Sequence, residues 1–372
     1  MNIMKIAFIG QKGIPATNGG VERYVENLAI DLVLFNQEVL VYNRVDYLPT
    51  KLHEFKGIKI INKFYIKNKN LANITQTFLA SLDVVRRQVD IVHFQGIGPS
   101  LLCWLPKLLK PRLKIIVTLH SFDYYNNKWS WFAKKMLQFG EFLMCRYADE
   151  IIVLTVSMQN YVKLKHHRET ILIPNGAHLY TLADQDKLFS WGLIPGEYIL
   201  SVSRLIKLKG LQYLIPAFKN LQTTKKLVIV GDGEYLSALE KLAAGDERII
   251  FTGNQGGRVL DQLYANAYLF VQSSEMEGLS TSLLEAMAHR TACLTSDIIA
   301  NRETLAGTGF TFVSKNITDL QTQLQKLISS PLDVESKAGL AYERIQREYT
   351  WSEIAKKILE VYKKLLVKAI VN

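Results

Sequence analysis

The sequence predicts an α/β fold of two Rossmann-like domains with parallel sheets, facing each other across a cleft. Two observations carry this. Short apolar runs alternate with segments of helical periodicity, and such alternation builds a parallel sheet covered on both faces. The alternation occurs twice, interrupted at 174–193, in a chain of 372 residues that is long enough for two cores. We expect a first domain over 1–180 and a second over 181–351. A last helix, 352–372, is expected to pack back onto the first domain.

Each element has a local reason. Lys5–Gly10 (KIAFIG) is an apolar run stopped by glycine, read as a buried strand. The loop Gln11–Gly20 follows. Val21–Phe35 sets Tyr24, Leu28, Leu32 and Phe35 on one helical side. Strands follow at Glu38–Tyr42 and Ile58–Ile61, then a helix at Ile74–Arg87. Asp90–Phe94 (DIVHF) is a strand, Leu101–Leu109 a helix, and Leu113–Leu119 a strand ending at His120. Trp129–Tyr147 reads as a long helix, with strands at Glu150–Leu154 and Ile171–Ile173 and a turn at Pro174-Asn175-Gly176. The second half repeats the rhythm. Strands are expected at Tyr198–Val202, Lys226–Val230, Ile249–Phe251, Leu269–Gln272 and Thr291–Thr295. Helices are expected at Gly210–Leu221, Glu234–Ala244, Leu260–Ala265 and Ser282–Ala288. The tail from Ile317 is mostly helical, and Ile354, Ile358, Val361, Leu365 and Ala369 form the apolar stripe of its last helix.

Composition narrows the class. With 48% hydrophobic and 21% charged residues, the chain is neither disordered nor low in complexity. Cys103, Cys145 and Cys293 lie far apart, without metal-ligand or redox spacing, which fits a reducing cytosol. We see no signal segment and no apolar run of about 18 residues, so no spanning helix is expected. Charge is uneven. Residues 1–180 hold 23 Lys and Arg against 13 Asp and Glu, whereas 181–372 hold 22 against 21. That asymmetry suggests a polyanionic partner for the first half, or a basic surface kept for solubility.

Three constellations stand where ligands bind in parallel sheets, at the carboxyl ends of strands. Gly19-Gly20 precedes a helix, where backbone amides can approach a phosphate. The glycine spacing does not match G-x-G-x-x-G, so a dinucleotide fingerprint is not met. Arg204 and Lys209, in SVSRLIKLKG, can clamp a diphosphate, the fork of one beside the point charge of the other. In SSEMEGLSTSLLEAMA, Glu277 and Glu285 are separated by seven residues. Glu277 falls in a loop and Glu285 in the following helix. The amides from Gly278 to Thr281 point outward at the helix start, and a carboxylate there can accept adjacent hydroxyls. Glu275 reads as a solvated loop charge. His93 reads as structural, and His166-His167 as solvated loop rather than a metal site.

The order GGVE, TLH, IPNG, SRLxxxKG, VGDGE and EGLSTSLLEAMA resembles the family 4 retaining glycosyltransferases of GT-B fold. The opening IGQKGIPATNGGVERYVENLA is similar to bacterial transferases that build surface polysaccharides such as capsule and exopolysaccharide. The resemblance covers nearly the whole chain and is weakest over Val45–Leu82. It implies that Arg204 and Lys209 neutralise a donor diphosphate, that Glu277 holds donor-sugar hydroxyls, and that Glu285 holds the ribose. It implies backbone contacts to sugar and phosphate at Gly278, Leu279 and Ser280, and a phosphate loop at Gly19 and Gly20. His120 matches a histidine that faces the donor sugar, against the alternative of a hydrogen-bonded strand-end histidine. One departure stands out. Arg290 occupies a position where the family usually has glycine, so another geometry is expected at that helix exit.

The activity so implied is transfer of a sugar from a nucleoside diphosphate donor to a glycan hydroxyl with retention. A UDP-sugar is the first expectation, with dTDP- or GDP-sugars next, and no cofactor or metal is expected. The second domain would hold the nucleotide sugar. The first would hold the acceptor, expected to be polyprenyl-diphosphate-linked. Lys128, Trp129, Trp131, Lys134 and Lys135 combine cations and aromatic rings on one helix, as an interfacial membrane face or as an amphipathic core helix. We therefore expect a cytoplasmic protein peripherally bound to the inner face of the cell membrane. The alternatives are a UDP-sugar 2-epimerase of the same fold and a non-catalytic nucleic-acid-binding protein. No nucleic-acid-reading motif occurs, so nucleic acid is not an expected partner.

Overall fold

The computed structural model describes residues 3–17, 19–68, 71–122, 124, 130–180 and 184–371. The chain forms two compact units, 1–176 with 351–372, and 177–350. The chain leaves the first unit four residues before the expected boundary of 180, at Gly176.

The first unit runs β1 (Lys5–Ile9), α1 (Gly20–Leu34), β2 (Glu38–Arg44), β3 (Glu54–Phe55), β4 (Ile58–Lys63), α2 (Ala72–Val85) and β5 (Ile91–Gln95). It continues through α3 (Ile97–Ser100), α4 (Trp104–Leu109), β6 (Lys114–Leu119), α5 (Trp131–Tyr147), β7 (Glu150–Val153), α6 (Val156–His166) and β8 (Ile171–Leu172). The second unit holds β9 (Tyr198–Val202), α7 (Leu211–Lys219), β10 (Lys226–Val230), α8 (Leu236–Ala243), β11 (Ile249–Gly253), α9 (Gly257–Ala265) and β12 (Leu269–Gln272). Then come α10 (Thr281–Ala288), β13 (Cys293–Ser296), α11 (Ile299–Leu305), β14 (Phe310–Phe312), α12 (Ile317–Ile328) and α13 (Pro331–Glu348). The last helix, α14 (Trp351–Val371), returns to the first unit.

The first sheet has the order β3-β4-β2-β1-β5-β6-β7-β8 and the second β11-β10-β9-β12-β13-β14. Every pairing is parallel except β3 with β4. Central strands are buried on both faces, which is why they read as unbroken apolar runs. The second core packs Leu214, Ile215 and Phe218 of α7 and Leu320, Leu324 and Leu327 of α12 on one face of its sheet.

In the first core, α14 lies against α1. Ile354, Ile358, Val361, Tyr362 and Leu365 are buried with Tyr24, Leu28 and Leu32. His93 ties the helix to the sheet. Its Nδ1 stands 2.7 Å from the Tyr362 hydroxyl and its Nε2 2.7 Å from Thr118 Oγ1. Complete burial holds the imidazole neutral by pushing its pKa down to about 3.

Several elements differ from expectation. Helix α6 has a weak apolar stripe and escapes a periodicity reading, yet Thr155 caps it by accepting from Met158 N at 3.3 Å. The short edge strands β3 and β14 carry too few residues to be read. Helix α5 starts at Trp131 rather than Trp129, because Ser130 is its N-cap. Arg290 does not change the helix exit. It adopts φ 57°, the left-handed geometry that a glycine there would use. A non-glycine residue in that region bears a steric cost of about 1–2 kcal/mol. Replacing Arg290 by glycine should therefore raise stability by about 0.5–1 kcal/mol after the loss of unfolded-state restriction. Chemical denaturation of Arg290→Gly checks it.

Candidate glycosyl-transfer site

The second unit brings three strand-end loops into backbone contact. Gly210 has φ 71°, and a Cβ there would stand 1.9 Å from the Ser273 carbonyl oxygen. A Cβ on Gly231 would meet the Ser203 carbonyl oxygen at 1.9 Å. Hydrogen bonds use the closeness. Leu205 N donates to Asp232 O at 2.9 Å, and Glu275 N to Leu208 O at 2.9 Å. Ser273 Oγ donates to Lys209 O at 3.1 Å.

This stitching joins two expected site residues. Lys209 Nζ lies 2.6 Å from Glu277 Oε1, and Ser274 Oγ donates to the same oxygen at 2.7 Å. Both side chains of the ion pair are mostly buried. The loop carrying Glu277, Gly278 and Leu279 then ends at Ser280, the N-cap of α10, which accepts from Leu283 N at 3.3 Å.

A buried polar network underlies the loop. Ser280 Oγ donates to Gln272 Oε1, and Gln272 Nε2 donates to Asn301 Oδ1 at 2.8 Å. Asn301 Nδ2 reaches Ser296 Oγ at 3.1 Å, and Ser296 Oγ donates to Ser274 O at 2.6 Å. Both ends of the loop are thus fixed to β12, β13 and α11.

Glu285 sits further along α10 and is half-buried. Tyr264 in α9 donates its hydroxyl to Glu285 Oε2 at 3.1 Å. The Tyr264 ring stacks on His289, which also stacks on Tyr180 at 3.9 Å. Sequence reasoning missed Tyr264, because a tyrosine on an apolar helix face gives only a core signal. Arg204 is exposed, and its guanidinium has no hydrogen-bond or ion-pair partner among the described residues. Glu275 corrects an expectation. It is no solvated charge: it accepts from Tyr213 at 2.8 Å and pairs with Lys315 at 2.9 Å, which holds its pKa below the usual range despite partial burial.

The remaining expected residues belong to the first unit. Gly19 (φ 94°) and Gly20 are exposed at the start of α1. Glu22 fixes the loop before them by accepting from Lys12 N at 3.0 Å. His120 ends β6. Its Nε2 is 2.9 Å from Gln95 Oε1, so that nitrogen carries the proton and Nδ1 is left as an acceptor. Burial lowers its pKa, and Tyr24 packs edge-on at 4.8 Å.

Lys128 and Trp129 lie outside the described residues. Trp131, Phe132 and Lys135 are exposed on α5, Lys134 is half-buried, and Phe139 and Phe142 extend the exposed face. The opposite face buries Leu137, Leu143 and Glu141. His166 is not solvated loop: it pairs with the fully buried Glu141, which Lys165 also reaches at 3.0 Å. No described helix is long and apolar enough to cross a membrane.

Comparison with known proteins agrees with this architecture. Residues 18–179 match the Glycosyltransferase Family 4 domain, and residues 188–346 match Glycosyl transferases group 1. An uncharacterized glycosyltransferase of Methanocaldococcus jannaschii is 30% identical over 97% of this chain and 98% of its own. Sucrose-phosphate synthase from Thermosynechococcus elongatus superposes with a TM-score of 0.85 at 20% identity, covering 98% of this chain and 100% of that one. Anabaena HepE in complex with UDP-glucose gives a TM-score of 0.81 at 19% identity, covering 97% and 100%. Two parallel-sheet units with these domains are the GT-B architecture. The chain belongs to the glycosyltransferases, with a family 4 domain ahead of a group 1 domain.

The contact at Gly210 tests the frame of the site. Gly210→Ala should cost roughly 3 kcal/mol or more, because a methyl group meets a backbone carbonyl that cannot rotate away. A lowered denaturation midpoint is the measurement.

Proposed function

We propose that the protein is a retaining glycosyltransferase that moves a sugar from a nucleoside diphosphate sugar to a hydroxyl of a lipid-linked glycan, in bacterial surface-polysaccharide synthesis. A UDP-sugar is the favoured donor. The observation that carries the reading is the Lys209–Glu277 pair, held by Ser274 at the carboxyl end of the second sheet. Arg204 belongs to the same strand-end loop, and Glu285 to the helix that begins just after Glu277.

In this reading Arg204 and Lys209 take the negative charge that develops on the departing diphosphate. Lys209 is neutralised by Glu277 before the donor arrives, so the carboxylate is free for sugar hydroxyls once phosphate engages the ammonium. Glu285, held by Tyr264, accepts the ribose hydroxyls. Gly19 and Gly20 add backbone amides to the phosphate, and His120 Nδ1 accepts from a sugar hydroxyl. The bond from the anomeric carbon to the diphosphate breaks while the acceptor oxygen bonds on the same face. The acceptor proton passes to the leaving phosphate oxygen. No side chain is needed as general base, and no metal enters.

Residues 1–180 carry most of the net positive charge, and the exposed face of α5 sets Trp131, Phe132, Phe139 and Phe142 beside Lys135. We read this face as resting on the anionic inner face of the cell membrane, where the acceptor lipid is held.

Two experiments test these readings. In a thermal-shift panel with UDP, GDP, dTDP, ADP and NAD, one nucleoside diphosphate should raise the melting temperature by mass action. Glu285→Ala should abolish that shift, and Tyr264→Phe should weaken affinity about three- to tenfold. No shift with any nucleotide rejects the donor site. Co-flotation with phosphatidylglycerol liposomes should fall on added salt and in the triple variant Trp131→Ala, Lys134→Glu, Lys135→Glu. Unchanged flotation rejects the membrane face.

A further inference from the structure

The first unit has a cationic centre that none of these roles uses. Arg44 is the last residue of β2, at the carboxyl end of a central strand. Its backbone N–H donates to Lys12 O at 2.8 Å, which joins it to the loop leading to Gly19. The guanidinium is half-buried and stands 4.9 Å from the centre of the Tyr65 ring. Its Nε donates to Gln76 Oε1 at 3.0 Å. Gln76 is itself buried, and its amide nitrogen is spent on the carbonyls of Gln11 and Tyr42, each at 3.1 Å. The acceptor oxygen therefore cannot turn away. Tyr65 is fixed in turn by its hydroxyl on Asp46.

That scaffold fixes the plane of the guanidinium fork. Among the described residues, the two terminal nitrogens of Arg44 have no hydrogen-bond or ion-pair partner. The carboxylates whose charge acts on it are Glu22 and Asp46, and both are committed elsewhere. Glu22 accepts from Lys12 N, and Asp46 pairs with Lys67 at 2.6 Å. A half-buried guanidinium whose terminal nitrogens lack a protein acceptor can give charge-assisted hydrogen bonds to an arriving anion. Arginine on an aromatic face with its plane fixed is suited to bidentate contact with phosphate.

We propose that Arg44 binds the phosphate or diphosphate group of the acceptor. This rests on the reading of the first unit as the acceptor side. The donor diphosphate already has Arg204 and Lys209 in that reading.

The test is calorimetric titration of the full chain, as wild type, Arg44→Ala and Arg44→Lys, with farnesyl diphosphate, farnesol, inorganic diphosphate and UDP. Farnesyl diphosphate should bind the wild type, and farnesol should not. Arg44→Ala should weaken farnesyl diphosphate about tenfold or more, while UDP affinity stays constant. Arg44→Lys, which keeps the charge and loses the fork, should fall between them, and it carries the test if the alanine variant does not fold. Inorganic diphosphate binding as tightly as farnesyl diphosphate assigns recognition to the headgroup alone; weaker binding assigns part of it to the chain. Either supports the site if both depend on Arg44. Three results overturn it: no binding of farnesyl diphosphate to the wild type, affinity unchanged in both variants, or an equal loss of UDP affinity, which would place Arg44 in the donor site. Failure of the donor reading looks different. There UDP fails to bind the wild type, whatever Arg44 does to farnesyl diphosphate.

Discussion

The backbone of Gly210 lies so close to the carbonyl of Ser273 that no side chain fits between them, and the candidate site is organised around that contact. It brings the loop after β9 against the loop after β12. Lys209 and Glu277, distant in sequence, become an ion pair only because the two loops touch. The same restriction recurs at Gly231 against Ser203, which ties in the loop after β10. Three strand ends are locked by main-chain proximity, so the side chains of the candidate site stand on a frame with little freedom of its own.

Electrostatics then works within that frame. A mostly buried lysine and glutamate neutralise each other, which offsets part of the cost of holding either charge away from water. Ser274 supplies a second donor to the carboxylate, and the chain of hydrogen bonds through Ser280, Gln272, Asn301 and Ser296 fixes the ends of its loop. A network so complete restricts the rotamers of its members and of the backbone they hold.

Legibility in the sequence followed the physics of each feature. Buried parallel strands such as β1, β6 and β10 show as apolar runs because both faces are covered. The motif residues Arg204, Lys209, Glu277 and Glu285 show because strand-end loops bear recognisable spacing. Interactions that join remote positions left no local trace. Glu275 and Tyr213, His166 and Glu141, and Tyr264 and Glu285 meet only through the fold. Arg290 misled for a different reason: the backbone conformation was retained although the residue that usually permits it was not. Arg44 had no pattern at all, since one cation at a strand end looks like any other until its neighbours are placed.

The placement of α14 orders the life of the chain in time. The first unit opens the sequence, but its core includes Trp351, Ile354, Ile358, Tyr362 and Leu365 from the final 21-residue helix. On the ribosome, β1 to β8 emerge early and wait with the apolar face of α1 uncovered. The second unit, which is contiguous, can finish first. The amino-terminal half is thus the last to mature. A nascent chain stalled before residue 351 presents a formed second unit beside a first unit that still exposes the surface chaperones recognise.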